Sequence, residues 1–136
     1  MDCVFGKIRD GQIPSTRVFE DERTIAFMDI NPLNEGHCLV IPRRHAATIF
    51  EADEADLRAA IATAQRVAKA IRAALRPDGL NVLQANGAAA FQSVPHFHFH
   101  LVPRLTGDGK GFDWPVVPGD RGRIQAAAEK IRGAFA

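Results

Sequence analysis

Two short apolar-rich runs, RVFE at 17–20 and TIAFMDI at 24–30, flank the polar triplet DER. Such runs around a polar turn predict a β-hairpin. Further on, CLVIP at 38–42 is a continuous apolar run that stops at Pro42, the pattern of a short buried strand. The period then changes. Leu57, Ile61, Ala64, Ala68, Ile71 and Leu75 recur every three or four residues, which predicts a helix over about 53–75 with one apolar stripe. Asp53 suits its N-cap, and Pro77 with Gly79 ends it. LNVLQA at 80–85 and residues 96–103 read as further strands. Residues 104–119 hold four glycines and two prolines and are expected to form a long loop. A last helix is expected at about 121–134, with Ile124, Ala128, Ile131 and Phe135 on one face. Residues 4–9 suggest one helical turn before the Gly11/Pro14 break. Strands arriving in hairpins, with helices between and after them, predict an α+β fold with an antiparallel sheet. Helices would cover one sheet face and leave the other for a ligand or a partner subunit.

Composition narrows the function classes. The chain has 136 residues, consistent with one domain over 1–136, and 17 basic residues against 16 acidic, a net charge of +1. That balance gives no electrostatic footprint for nucleic acid or a membrane surface. The Arg43-Arg44 pair is expected to be solvated surface. No apolar stretch approaches a membrane span. Two cysteines, Cys3 and Cys38, make no disulfide framework, and the start MDCVFGKI lacks the apolar run of a signal peptide. These features predict a cytoplasmic protein whose cysteines serve packing.

The candidate chemistry lies in PHFHFHLVPR, residues 95–104. Three of the five histidines stand at every second position. On a strand, His96, His98 and His100 would share one face, with Phe97, Phe99 and Leu101 turned into the core behind them. A plain solvated sheet face fits this regularity poorly. Two chemical readings stay open on strand geometry alone. The imidazoles could ligate a metal, with His37, His45 and Cys3 as companions. Alternatively, a neutral imidazole could act as nucleophile, oriented and assisted by its neighbours. Asn86-Gly87 and Gln92-Ser93, just upstream, offer donors of the kind that hold phosphate oxygens, though Asn-Gly is also ordinary turn chemistry. Ile25, Phe27 and Asp29 share another strand face. An apolar wall ending in a carboxylate suits a flat base and a ribose diol, and equally a core strand whose last residue caps a loop. Phe5 and Ile8 could extend that wall.

His96-Phe97-His98-Phe99-His100-Leu101-Val102 resembles the signature of the histidine triad (HIT) superfamily. Flanking segments resemble its Hint-like branch in the same order: CVFGKIRDGQIPSTRVFEDERTIAFMDINP, GHCLVIPRRH, FQSVPHFHFHLVPR and the Gly-rich GDGKGFDWP. The resemblance covers nearly the whole chain. It implies a five-stranded antiparallel sheet with two main helices, paired into a homodimer. It implies a purine-nucleotide hydrolase or nucleotidyl transferase, phosphoramidase-like, acting at the α-phosphorus. By this resemblance His98 would form a nucleotidyl-histidine intermediate, His100 would assist, and His96 and His37 would support. Gln92, Ser93 and Asn86 would lie near the phosphate, Asp29 would hold the ribose, and Phe5, Ile8, Phe27 and Ile30 would surround the base. The same resemblance leaves room for a dinucleoside polyphosphate hydrolase or a non-catalytic nucleotide-binding regulator. No cofactor is required by it.

Some bacterial relatives hold structural zinc with Cys-x-x-Cys and two histidines. Cys3, His45 and His96 match three of these ligands, but Gly6 replaces the second cysteine, so structural zinc is not expected here. Relatives also tend to carry asparagine at the place of Ala85 and glycine at the place of Phe91. The first change removes a polar contact near the phosphate, and the second is expected to narrow the pocket. Trp114, the single tryptophan, is expected to anchor the 104–119 loop to its own core, the alternative being a tail that approaches a partner's active site.

Overall fold

The computed structural model describes residues 3–135. Helix α1 (Val4–Arg9) precedes the hairpin of β1 (Arg17–Glu20) and β2 (Thr24–Met28). Strand β3 (Cys38–Pro42), helix α2 (Glu54–Leu75), strand β4 (Gly79–Leu83), strand β5 (Phe99–Arg104) and helix α3 (Arg121–Gly133) follow. All strand pairs are antiparallel, in the order β1-β2-β3-β5-β4. The last strand therefore inserts beside β3 and places the histidine segment at the middle of the sheet.

The two-residue period of the strands sorts the core into two layers. Ile25, Phe27, Leu39 and Ile41 meet Cys3, Phe5 and Ile8 on the α1 side. Ala26, Cys38, Val40 and Leu101 lie beneath Ala64, Val67 and Ile71 of α2. Each large apolar side chain so buried stabilises the fold by roughly 1.5–3 kcal/mol.

Helix α2 begins where expected: the Asp53 carboxylate accepts from the Ala55 N–H at 3.2 Å. Its buried stripe is nevertheless rotated from the expected one. Asp56, Ala60, Thr63, Ala64, Val67 and Ile71 face the sheet, while Ile61 and Leu75 are exposed. Two polar residues hold buried positions because each has a partner. Asp56 pairs with Arg23 and Arg44 at 3.6 and 3.3 Å, and the hydroxyls of Thr63 and Thr24 lie 2.7 Å apart. Arg44 is thus an ion-pair residue rather than merely solvated. Arg43 is likewise engaged, with Glu20 and the Asp21 carbonyl.

Other boundaries shift for local reasons. Strand β2 stops at Met28, and β5 starts at Phe99 rather than 96. The Phe97 N–H donates to the Ala46 carbonyl at 2.7 Å, outside the ladder, so His96 sits in a bend, its N–H on the Val94 carbonyl at 2.8 Å, and His98 on the irregular lead-in to the strand. The alternation of side chains survives this: His98 meets Phe5 on the α1 side, and Leu101 packs under α2.

The tail departs furthest from expectation. Trp114 is 76% exposed and anchors nothing. Helix α3 forms, capped by Asp120, but none of its residues is buried. Its large apolar residues Ile124 and Ile131 are more than half exposed. The root of the tail is firmly held instead. Asp108 accepts hydrogen bonds from the Arg104 guanidinium, the Asn34 amide and the backbone N–H groups of Leu105 and Lys110.

Phe91 closes a short 3₁₀ turn (Ala88–Ala90) with φ of 66°, in the left-handed region. Its ring is 92% exposed, so it does not narrow any pocket. Left-handed backbone costs a side-chain-bearing residue about 1–2 kcal/mol, part of which glycine returns through its freer unfolded chain. Phe91→Gly is expected to raise stability by about 0.5–1 kcal/mol, read as a higher urea midpoint with an unchanged slope. A lower midpoint would show that the ring contributes packing.

Candidate active site

A cleft of about 240 Å³ opens on the α1 face. Phe5, Ile8, Phe27 and Ile30 form its apolar wall, and Asp29, Ser93, His98 and His100 supply polar groups. A larger groove of about 320 Å³ runs between α2 and the β1–β2 hairpin, but apart from Arg66 and the Cys38 thiol its side chains are hydrocarbon or thioether. The chemistry therefore sits in the smaller cleft. Phe5 stands edge-on to the rings of Phe27 and His98, with centroids 5.4 and 5.0 Å away. This packing holds the His98 ring in place.

Hydrogen-bond partners assign the tautomer of each histidine. The His98 Nδ1 lies 2.6 Å from the His96 carbonyl, which can only accept, so Nδ1 carries the proton and Nε2 keeps its lone pair. The opposite arrangement holds for His100, and its origin is a backbone amide. The Leu33 N–H donates to His37 Nδ1 at 3.0 Å, which leaves the His37 proton on Nε2. That N–H faces His100 Nδ1 at 2.9 Å, with the Asp29 carboxylate at 3.4 Å. His100 thus accepts on Nδ1 and carries its own proton on Nε2. Two neighbouring rings, with centroids 4.8 Å apart, are set as a lone-pair bearer and an N–H donor.

Burial keeps these rings neutral. It lowers the affinity of His98 and His37 for a proton, and pushes the pKa of His100 down to about 4 with help from the neighbouring His98 and His37. His96, wholly buried, is also pushed down to about 4 by burial, against the pull of its bond to the Pro42 carbonyl. The imidazoles facing the cleft are therefore uncharged at neutral pH.

A second histidine cluster lies behind the cleft. His96 Nε2 bonds the Pro42 carbonyl at 2.9 Å, so its Nδ1 presents a lone pair. Cys3 Sγ lies 3.5 Å from that atom and His45 Nδ1 3.2 Å, and Cys3 is 3.7 Å from His45. Asp29, His37 and His100 also bring three ligand-type atoms together. There, however, a ligating His37 Nε2 would need its proton on Nδ1, against the Leu33 N–H. The three donors of the Cys3 cluster fit a cation; the Asp29 group fits a hydrogen-bond relay.

Not every expected residue reaches the cleft. The Gln92 side chain accepts from the Gly87 N–H and donates to the Ala47 carbonyl, bracing the loop. Asn86 binds the Ile49 N–H and Gln84. Ala85 stands between Gln84 and Asn86, also off the cleft wall. Unforeseen in the sequence were the Leu33 amide and its support: Lys110 Nζ donates to the Leu33 carbonyl at 2.9 Å. Leu33 acts through its backbone, so its side chain carries no signal, and Lys110 is distant in sequence.

The HIT domain model matches residues 10–107. The chain is 39% identical over 132 residues to adenosine 5′-monophosphoramidase hnt1 of Schizosaccharomyces pombe, covering 96% of each. It is 43% identical over 120 residues to Protein hit of Bacillus subtilis, covering 88% of this chain and 83% of that one. The crystal structure of a HIT family member from Bacillus subtilis superposes with a TM-score of 0.92 at 37% identity, covering 100% of this chain and 99% of the other.

Proposed function

The chain belongs to the HIT domain family, and from that premise we propose that it cleaves a purine nucleoside monophosphate conjugate at the α-phosphorus, a phosphoramidate being the substrate class. One observation carries the reading: a buried imidazole whose Nδ1–H is spent on the His96 carbonyl, leaving an Nε2 lone pair at a nucleotide-sized cleft. In the first step Nε2 of His98 bonds to phosphorus and the bond to the leaving amine breaks, the amine taking a proton from water, which the proton lost in the second step replaces. Water then attacks phosphorus, loses a proton, and releases the nucleoside monophosphate and the free imidazole. The His100 Nε2–H and the Ser93 hydroxyl are the donors for phosphoryl oxygens as charge builds. Phe5, Ile8, Phe27 and Ile30 take the base, and Asp29 accepts from the ribose hydroxyls. The proposed chemistry runs on histidine side chains and water.

Rapid quenching during turnover of adenosine 5′-monophosphoramidate tests this. AMP should appear, and the peptide containing His98 should carry a nucleotidyl group. Turnover with no such adduct would remove His98 as nucleophile. Tight AMP binding without turnover of any phosphoramidate or dinucleoside polyphosphate would make the protein a nucleotide sensor.

The same family premise points to a homodimer. Strand β4 is a sheet edge, and Val82 on it and Ile61 on α2 are half-exposed apolar neighbours lining one shallow depression. The outer half of the α2 stripe faces this edge. Light scattering should give the mass of two chains, and Ile61→Glu with Val82→Glu should halve it. A monomeric wild-type protein would overturn this arrangement. No described helix is long and apolar enough to cross a membrane, and the proposed setting is the cytoplasm, with a small nucleotide rather than a nucleic acid as partner.

A further inference from the structure

The Gly-rich segment after β5 supplies no group to the cleft, yet its contacts lead back to the histidines. Gly107 and Gly109 have φ of 76° and 72°, in the left-handed region that suits glycine. The tight turn they make brings the Asp108 carboxylate back onto the Arg104 guanidinium, with both oxygens engaged at 2.8 Å. Lys110 comes next, and its main chain is held on both sides. Its N–H donates to Asp108 Oδ1 at 3.0 Å, and its carbonyl accepts from the Arg104 guanidinium. The Lys110 side chain therefore starts from a fixed base.

From that base Nζ reaches the loop between β2 and β3. It donates to the Leu33 carbonyl at 2.9 Å and to Asn34 Oδ1 at 3.2 Å. The Asn34 amide nitrogen donates in turn to the Pro103 carbonyl at 2.9 Å and to Asp108 at 3.0 Å. Leu33 is thus gripped at both of its main-chain polar groups, by Lys110 at the carbonyl and by His37 Nδ1 at the N–H. The contacts close on themselves. Arg104 lies four residues beyond His100 on β5, Asp108 and Lys110 carry the link to Leu33, Leu33 carries it to His37, and His37 Nε2 returns it to His100 Nδ1. A closed ring of bonds places its two imidazoles more firmly than a single pair does, because no member shifts without breaking a bond elsewhere.

We propose that Lys110 is a positioning residue for nucleotidyl transfer: its ammonium holds the Leu33 peptide against His37 and so keeps the His37–His100 pair in register with the cleft. The catalytic consequence rests on the reaction given under Proposed function, whereas the hold on His37 rests on the hydrogen bonds alone. Lys110 governs where the two rings stand rather than the order of their protons, since the Asp29 carboxylate beside His37 Nε2 favours a proton there in any case. Lys110 does not line the cleft. Its loss is therefore expected in kcat and not in nucleotide affinity. Its side chain is exposed, so replacing it leaves no cavity.

Long-range proton–nitrogen spectra of the full-length protein, labelled with nitrogen-15 at histidine and held at neutral pH, supply the test. In the wild type the His37 Nδ1 resonance should show a hydrogen-bonded lone pair, and the His37 Nε2 proton should be shielded from exchange with solvent. In Lys110→Met the first should move toward the position of a free lone pair and the second should broaden by exchange. Lys110→Arg, which keeps a cationic donor, should restore both. With adenosine 5′-monophosphoramidate, kcat of Lys110→Met should fall about tenfold, as expected for a small misplacement of assisting groups, while KM stays within about twofold. Lys110→Arg should recover most of that loss. His37 resonances unchanged in Lys110→Met would overturn the proposal whatever the rate did. An intact kcat beside altered spectra, or a KM that rises in step with the loss, would overturn the positioning role. A wild type that turns over no phosphoramidate would strike the reaction itself and leave the spectra to decide the hold on His37.

Discussion

His98→Ala should lower kcat for adenosine 5′-monophosphoramidate on the order of 10⁴-fold or more while nucleotide affinity stays within a few fold. The asymmetry follows from the geometry. Binding surface comes from Phe5, Ile8, Phe27 and Asp29, whereas His98 presents a single edge to the cleft. Alanine removes the nucleophile and leaves the base and ribose walls in place. His100 cannot substitute, because its Nδ1 is committed to His37 and its Nε2 carries a proton. Steady-state rates beside AMP titrations separate the two effects. A loss confined to affinity, with kcat intact, would refute the role. The same wiring forecasts the pH profile: the proton affinity of His98 is lowered by burial, so kcat should hold from neutral pH down past the ordinary histidine value near 6.5 before it falls.

Acidification from pH 7 to pH 4.5 should cost the fold several kcal/mol. His96 and His100 both titrate near 4 in the folded protein, against about 6.5 in an unfolded chain. Between those values the unfolded chain binds protons that the folded one refuses, so unfolding is favoured as pH falls. Their contribution is fully present above pH 6.5 and disappears as pH drops toward 4. Each group accounts for about 3 kcal/mol at full charging, and less than twice that together because they share a neighbourhood. Free carboxylates titrate near 4, mostly below this window. Urea midpoints measured from pH 7 to 4.5 should decline steadily, and His100→Gln should flatten the decline. A midpoint independent of pH over this range would show that the rings charge without opening the structure.

Much of this architecture was legible in the chain, and the parts that were not share a physical cause. Strand alternation placed His96, His98 and His100 on one face because the period of a strand is local. The register of α2 was not local. Asp56 and Thr63 take buried positions through Arg23, Arg44 and Thr24, partners that only the fold brings near. Trp114 is expected to seek a core because large aromatic rings usually do, yet its ring is 76% exposed, and it is Phe112 of the same tail that packs, beneath the Arg104 guanidinium. Asn86 and Gln92 have the right chemistry for phosphate, yet their polar atoms are taken up by Gly87 and by the backbone of Ala47 and Ile49, a segment only the fold brings near. Side-chain type announces capacity, and the pairing of donors with acceptors decides its use.

The Leu33 amide has a genetic consequence. It orders the protons on His37 and then on His100, yet it belongs to the main chain. Every replacement at position 33 except proline keeps that N–H. An alanine scan would pass over the residue that sets the polarity of the relay and mark it dispensable, and only Leu33→Pro would expose it. The proton order is written where ordinary point mutation seldom reaches, so it can persist while the side chains around it drift.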